Sequence, residues 1–106
     1  MEMWDLGVAL AAEGHFEEAN RAFAAALETE PRNPEIRFNF GVALTRQRNW
    51  PAAADEFARV TALRPGRPAA HCSLAGALFQ AGEKERAQAE LGRARQSGPC
   101  ELPQGR

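Results

Sequence analysis

Apolar and small residues return along this chain at two intervals at once. The shorter interval is helical: Met3, Leu6, Gly7 and Leu10 fall at i, i+3, i+4 and i+7, and Phe16, Ala19, Ala22 and Phe23 share one face in the same way. The longer interval carries Gly7 onto Gly41 and then Ala75, Ala19 onto Ala53 and Ala87, and Phe23 onto Phe57 and Leu91. Leu6, Phe40 and Leu74 form a further set, as do Leu10, Leu44 and Leu78. Prolines keep the same step, at Pro31, Pro65 and Pro99 and again at Pro34 and Pro68. Core and punctuation therefore repeat together, the signature of a repeat array.

Each unit holds two helices. The spacing predicts them over 2–13, 17–29, 35–47, 51–63, 69–81 and 85–96, with breaks at Gly14-His15, Arg48-Asn49 and Ala81-Gly82 inside units and at the prolines between them. Pro51 falls in a first helical turn, where its missing donor costs nothing. One domain over 1–106 is expected, with repeats at 1–33, 34–67 and 68–101 and a tail at 102–106. Gly7, Gly41 and Ala75 are expected to face Ala19, Ala53 and Ala87, which lets paired helices approach while Phe23, Phe57 and Leu91 fill the space beyond.

This arrangement resembles the tetratricopeptide repeat (TPR), whose signature W-x2-L-G-x2-Y…A-x3-F…P recurs at the same step. The chain reads Met3-x2-Leu6-Gly7-x2-Leu10…Ala19-x3-Phe23…Pro31, then Arg37-x2-Phe40-Gly41-x2-Leu44…Ala53-x3-Phe57…Pro65, then His71-x2-Leu74-Ala75-x2-Leu78…Ala87-x3-Leu91…Pro99. It departs from the pattern where the signature Trp becomes Met3, Arg37 and His71 and the signature Tyr becomes Leu. The tips of Arg37 and His71 are expected to reach solvent or a partner from this inter-helix slot. The resemblance implies an all-α, right-handed superhelical solenoid of three stacked helical hairpins, with a concave surface lined by the first helix of each.

On that lining the resemblance places peptide segments of partner proteins. The first-helix faces unused by the hairpin cores carry Trp4, Val8, Ala11 and Ala12, then Phe38, Val42, Thr45 and Arg46, then Cys72, Gly76, Phe79 and Gln80, with Asn39 at the flank. Such a surface suits an apolar or aromatic anchor, with Asn39 and Gln80 to bond its backbone and Arg46 to meet a carboxylate. Val8, Val42 and Cys72 are open to a second reading as packing between repeats. A subclass of the family grips chaperone C-terminal carboxylates with five polar residues, and the matching positions here are Trp4, Val8, Asn39, Ala69 and Ser73. Asn39 alone agrees, so such tails are not the expected ligand.

Composition narrows the function further. The chain is 44% hydrophobic and 25% charged with net charge −1, too balanced for a general nucleic-acid binder. Glu2, Asp5 and Glu13 interrupt the N-terminal apolar stretch, so neither a signal peptide nor membrane insertion is expected. Cys72 and Cys100 lie in no CxxC or Cys/His cluster; neither a disulfide scaffold nor a zinc site is expected, and a cytoplasmic, reducing setting follows. Twelve Arg to one Lys, with abundant Ala, hints at a GC-rich bacterial gene. His15 and His71 have no nucleophile at a catalytic spacing, and the glycines form no phosphate-binding motif, so neither an enzyme nor a cofactor is expected. Paired acids such as Glu17-Glu18 and Asp55-Glu56 open second helices, where they favour the helix dipole.

The function expected is a non-enzymatic adaptor or scaffold holding a partner's peptide. The alternative is a structural segment of a larger protein that self-associates through its solenoid ends. Charge bears on the alternative: residues 1–33 carry seven acids and two bases, 34–67 three and six, and 68–106 four and five. The stretch from Cys100 to Arg106 is too short and too rich in Pro and Gly to form a capping helix.

Overall fold

A computed structural model describes residues 3–97, and the side chains of 5–95. Six helices follow one another: α1 (Met3–Ala12), α2 (Phe16–Thr29), α3 (Pro34–Arg46), α4 (Trp50–Leu63), α5 (Pro68–Gln80) and α6 (Lys84–Ser97). They form three hairpins, and each first helix after α1 packs into the preceding hairpin, α3 on α1 and α2, α5 on α4. The result is an all-α solenoid, and each helix begins and ends next to, or at, the position that the spacing predicts.

Local chemistry explains the bounds. Pro34, Pro51 and Pro68 occupy first turns, and the Asn33 side chain caps α3 by accepting from the backbone N–H of Glu35 at 2.9 Å and of Ile36 at 3.3 Å. The turns inside the hairpins share one geometry. His15, Asn49 and Glu83 each donate a backbone N–H back to the carbonyl of a leucine near the end of the first helix, Leu10, Leu44 and Leu78. This closing bond requires a left-handed residue just before the donor, and Gly14, Arg48 and Gly82 supply it with φ of 83°, 58° and 88°. Glycine adopts that conformation freely, whereas Arg48 carries a Cβ against the adjacent carbonyl.

Inside each of the first two hairpins an aromatic ring rests on a glycine. A Cβ on Gly7 would stand 3.0 Å from the Phe23 ring, and one on Gly41 would stand 2.6 Å from the Phe57 ring. The ring, rather than the alanine expected from the sequence, is therefore what the missing side chain accommodates. Ala19, Ala53 and Ala87 are buried nearby, so small residues still set the helix separation. In the third hairpin the pair is exchanged in size, Ala75 standing for the glycine and Leu91 for the ring.

Between hairpins, a first helix lays its apolar face on the ring. Phe40 stacks on Phe23 with centroids 5.3 Å apart, and Leu74 joins the buried cluster around Phe57. A polar clasp accompanies the first of these interfaces: Asn20 and Gln47 exchange two side-chain hydrogen bonds, of 3.0 and 2.8 Å.

Arg37 and His71 correct the expectation that their tips reach outward. Arg37 donates from Nε to the Pro31 carbonyl at 2.9 Å and from Nη1 to Glu56 at 2.8 Å, in a pair 14% exposed on each side. His71, at the equivalent place in the next unit, puts Nε2 2.7 Å from the Pro65 carbonyl and Nδ1 3.2 Å from Glu90. Both tie the turn entering the hairpin to its second helix. The histidine thus reaches the same two kinds of group as the arginine, a proline carbonyl and a glutamate carboxylate. Burial among these acceptors outweighs solvation of the tips because the donors are satisfied where they stand.

Changes in stability test these contacts. Gly41→Ala is expected to lower unfolding free energy by about 1–3 kcal/mol, because a rigid ring cannot yield to the added methyl. Gly92→Ala, in α6 with nothing within 4 Å, serves as the control and is expected to raise stability by about 0.5–1 kcal/mol. Arg48→Gly is expected to stabilise by about 1 kcal/mol through release of the left-handed strain. His71→Arg should preserve stability while His71→Ala costs about 1–3 kcal/mol, since Glu90 then loses a buried donor. Urea unfolding monitored by circular dichroism measures all of these.

Candidate interaction surface

A cavity of about 630 Å³ opens against α5, with α3 and α4 on one side and α6 on the other. Its wall combines Val42 and Thr45 from α3, Trp50 and Phe57 from α4, Cys72, Ser73, Gly76, Phe79 and Gln80 from α5, and Gln88 and Leu91 from α6. Hydrocarbon and aromatic surface dominates, with two amides and two hydroxyls interspersed. Phe79 is 56% exposed, the most open large apolar side chain among the described residues. It projects from the last turn of α5, just before the helix ends at Gln80. Thr45 bonds back to the Gly41 carbonyl at 2.9 Å, which leaves its methyl for the wall.

The residues singled out from sequence divide between this wall and other places. Val42, Cys72, Phe79 and Gln80 meet in the cavity. Val8 is exposed on α1 away from it, and Arg46 is exposed in the last turn of α3, where its charge favours the helix dipole. Asn39 is half-buried outside the wall. Phe38 is covered instead: its ring packs edge-on against Phe57 at 5.5 Å, and the Arg67 guanidinium lies 4.6 Å from its centroid. The side chain of Trp4 lies outside the described residues. Ala11, a neighbour expected on the same lining, is buried in the core shared by α1, α2 and α3.

Trp50, Gln88 and Leu91 were absent from the sequence-based lining. All three belong to second helices, and a lining drawn from first helices alone passes over them. Trp50 had a signal of its own: it stands at the position of Phe16 and Lys84, where a large aromatic is not required for packing in every unit.

Cys72 is disulfide-bonded, its partner lying outside the described residues. The expectation of no disulfide is thereby corrected, because motif spacing says nothing about where the fold returns the chain. The argument from unpaired cysteines to a reducing compartment goes with it. Among the described residues no helix is long and apolar enough to cross a membrane, and no group of His, Cys, Asp and Glu could hold a metal ion.

Comparison with known proteins agrees with this geometry. Among solved structures, one mutant form of MamA superposes with a TM-score of 0.82 at 26% identity, covering 92% of this chain and 71% of that one. Another MamA mutant gives a TM-score of 0.80 at 25% identity, covering 92% of this chain and 55% of that one, so this chain spans little more than half of it. The first TPR of Spaghetti (RPAP3), bound to the HSP90 peptide SRMEEVD, gives a TM-score of 0.81 at 20% identity, with coverage of 90% and 75%. No curated protein matches. Two family models described as tetratricopeptide repeat match residues 5–68 and 44–103. With its six-helix solenoid and its glycine-seated rings, the chain belongs to the tetratricopeptide repeat family of protein-interaction modules.

Proposed function

We propose that this protein is a non-enzymatic adaptor whose α5-centred cavity takes the apolar side chains of a partner's peptide segment. The cavity carries the reading. Its volume of about 630 Å³ lies within the range of roughly 300–1,000 Å³ typical of ligand sites, and its wall is mostly apolar with a few polar groups to fix orientation. Phe79 supplies an exposed aromatic contact of the type that dominates binding energy at interfaces. Gln80 and Gln88, both exposed at its border, are placed to bond a peptide backbone.

The peptide in the RPAP3 complex is acidic and ends in a carboxylate. The positions that match the family's carboxylate clamp and are described here carry Val8, Asn39, Ala69 and Ser73, none of them cationic. Desolvating such a tail would go uncompensated, so an apolar segment is the preferred ligand.

The test is capture from a peptide library by the native chain beside Phe79→Asp, followed by fluorescence titration of the recovered sequences. Apolar or aromatic-anchored peptides are expected, bound at least about tenfold more weakly by the variant. Equal capture by both proteins, or micromolar binding of SRMEEVD in preference to apolar peptides, would overturn the assignment.

A further inference from the structure

We infer that a disulfide between Cys72 and Cys100 ties the segment after α6 across the α5 side of the cavity, and that reduction by a dithiol opens the cavity to a partner's peptide. The inference rests on the cavity reading above and adds the regulation of that same site.

Cys72 stands in the cavity wall and is disulfide-bonded, with its partner outside the described residues. The chain holds two cysteines, so Cys100 is the partner that the sequence offers. It follows Ser97, the last residue of α6, by three positions.

The pairing of α5 with α6 sets the path of the tether. His71, next to Cys72, meets Glu90 across the hairpin, with Nδ1 3.2 Å from the carboxylate. From Glu90 to the end of α6 at Ser97 the helix runs on by about 10 Å. Three extended residues span about 10 Å, and a disulfide needs its two Cα atoms within about 7 Å of each other. Bonding to Cys72 therefore brings the chain back along α5 and α6. Gly98-Pro99 suits that reversal, a glycine at a helix end followed by a residue that cannot continue the helix.

Leu102 falls two residues past the tether, within about 7 Å of Cys100. Gly76 and Phe79 continue the Cys72 face of α5 at i+4 and i+7, with Gly76 about 6 Å farther along the helix. Gly76 offers no side chain to fill the wall beside Leu91, and Leu102 is the apolar side chain in Glu101-Leu102-Pro103. The seat lies at the Cys72–Gly76 end, and Phe79, 56% exposed, stays open. A tethered segment acts at an effective concentration on the order of millimolar, enough to hold off a micromolar ligand supplied in trans.

Release takes two electrons. A thiolate of the dithiol attacks one sulfur of the Cys72–Cys100 bond, which breaks as a mixed disulfide forms. The second thiol of the reductant then displaces the protein sulfur and closes the reductant into its cyclic disulfide. Two thiols are left on the protein, carrying the two hydrogens that the reductant has lost.

The test is fluorescence titration of the full chain with an apolar peptide selected against it in dithiothreitol, comparing diamide-oxidised with dithiothreitol-reduced protein. Mass spectrometry of a non-reducing digest maps the link, and circular dichroism checks the folding of each variant. Affinity is expected to rise at least about tenfold on reduction. Cys100→Ser should bind as the reduced chain does with or without dithiothreitol, and Leu102→Asp should bind tightly with the disulfide intact. Fluorescence of the apolar dye 8-anilinonaphthalene sulfonate reads the open wall without any peptide, and should increase on reduction in the wild type but not in Cys100→Ser. Absence of the Cys72–Cys100 link from the oxidised digest, equal affinity in both states, or an unchanged dye signal would overturn the inference. The two readings fail separately. If Phe79→Asp binds the peptide as well as the reduced wild type while the dye still responds to reduction, the cavity reading falls and the tether stands. If Phe79→Asp loses binding but oxidation changes nothing in the wild type, the tether falls and the cavity reading stands.

Discussion

Every hairpin in this solenoid depends on a single close approach, the seating of a large side chain from the second helix over a residue of the first that has little or no side chain. Phe57 leaves no room for a methyl group on Gly41, and Phe23 leaves little for one on Gly7. The ring then does two jobs: it binds its own pair of helices, and its far side offers the surface on which the next hairpin lands. Phe40 stacking on Phe23 shows the second job directly. Because each ring is completed by a neighbour, stability passes from unit to unit. In the third hairpin Ala75 and Leu91 hold the two equivalent positions, so the summed side-chain volume is similar although the identities differ.

A second constraint holds the hairpins' entry turns. Arg37 and His71 each bridge a proline carbonyl at the turn and a glutamate on the second helix, and in each the contact with the glutamate is largely buried. The family signature places an aromatic side chain at this slot, and here a polar pair substitutes for it. Apolar packing at that position is replaced by directed bonds, which specify one rotamer and one turn conformation but depend on complete satisfaction of donors and acceptors. Glu90 illustrates the completeness, pairing with Arg93 through one oxygen at 2.6 Å and with His71 through the other.

The interaction surface follows from these rules applied at the end of the described array. Phe79 and Gln88 are exposed and Leu91 is half-buried, whereas Ala11, Ala54, Phe23 and Phe57 at the same positions earlier in the chain are buried. The cavity wall thus includes positions that are covered between hairpins earlier in the chain. On the function proposed above, a wall built this way suits peptide segments with apolar side chains. That accounts for the shortage of charge in its wall and for the placement of its amides at the border.

The periodicity of small and apolar residues was enough to determine six helices, three hairpins and their order, because helix bounds and the repeat step are local properties written in Gly, Pro and the ring positions. It also picked Val42 of α3 and Cys72, Phe79 and Gln80 of α5 from the faces of first helices, and these four line one cavity. Tertiary structure decided what the period could not express. Whether Ala11 or Phe79 faces solvent depends on the presence of a neighbouring helix, and both occupy the same position of their units. Phe38 is screened by Arg67 from the turn that enters the next hairpin, Arg37 and His71 turn inward toward glutamates on second helices, and Cys72 is bonded beyond the described residues. The physical reason is common to all of them: a face is set by the chain's own geometry, but its burial and its partners are set by what another segment brings against it.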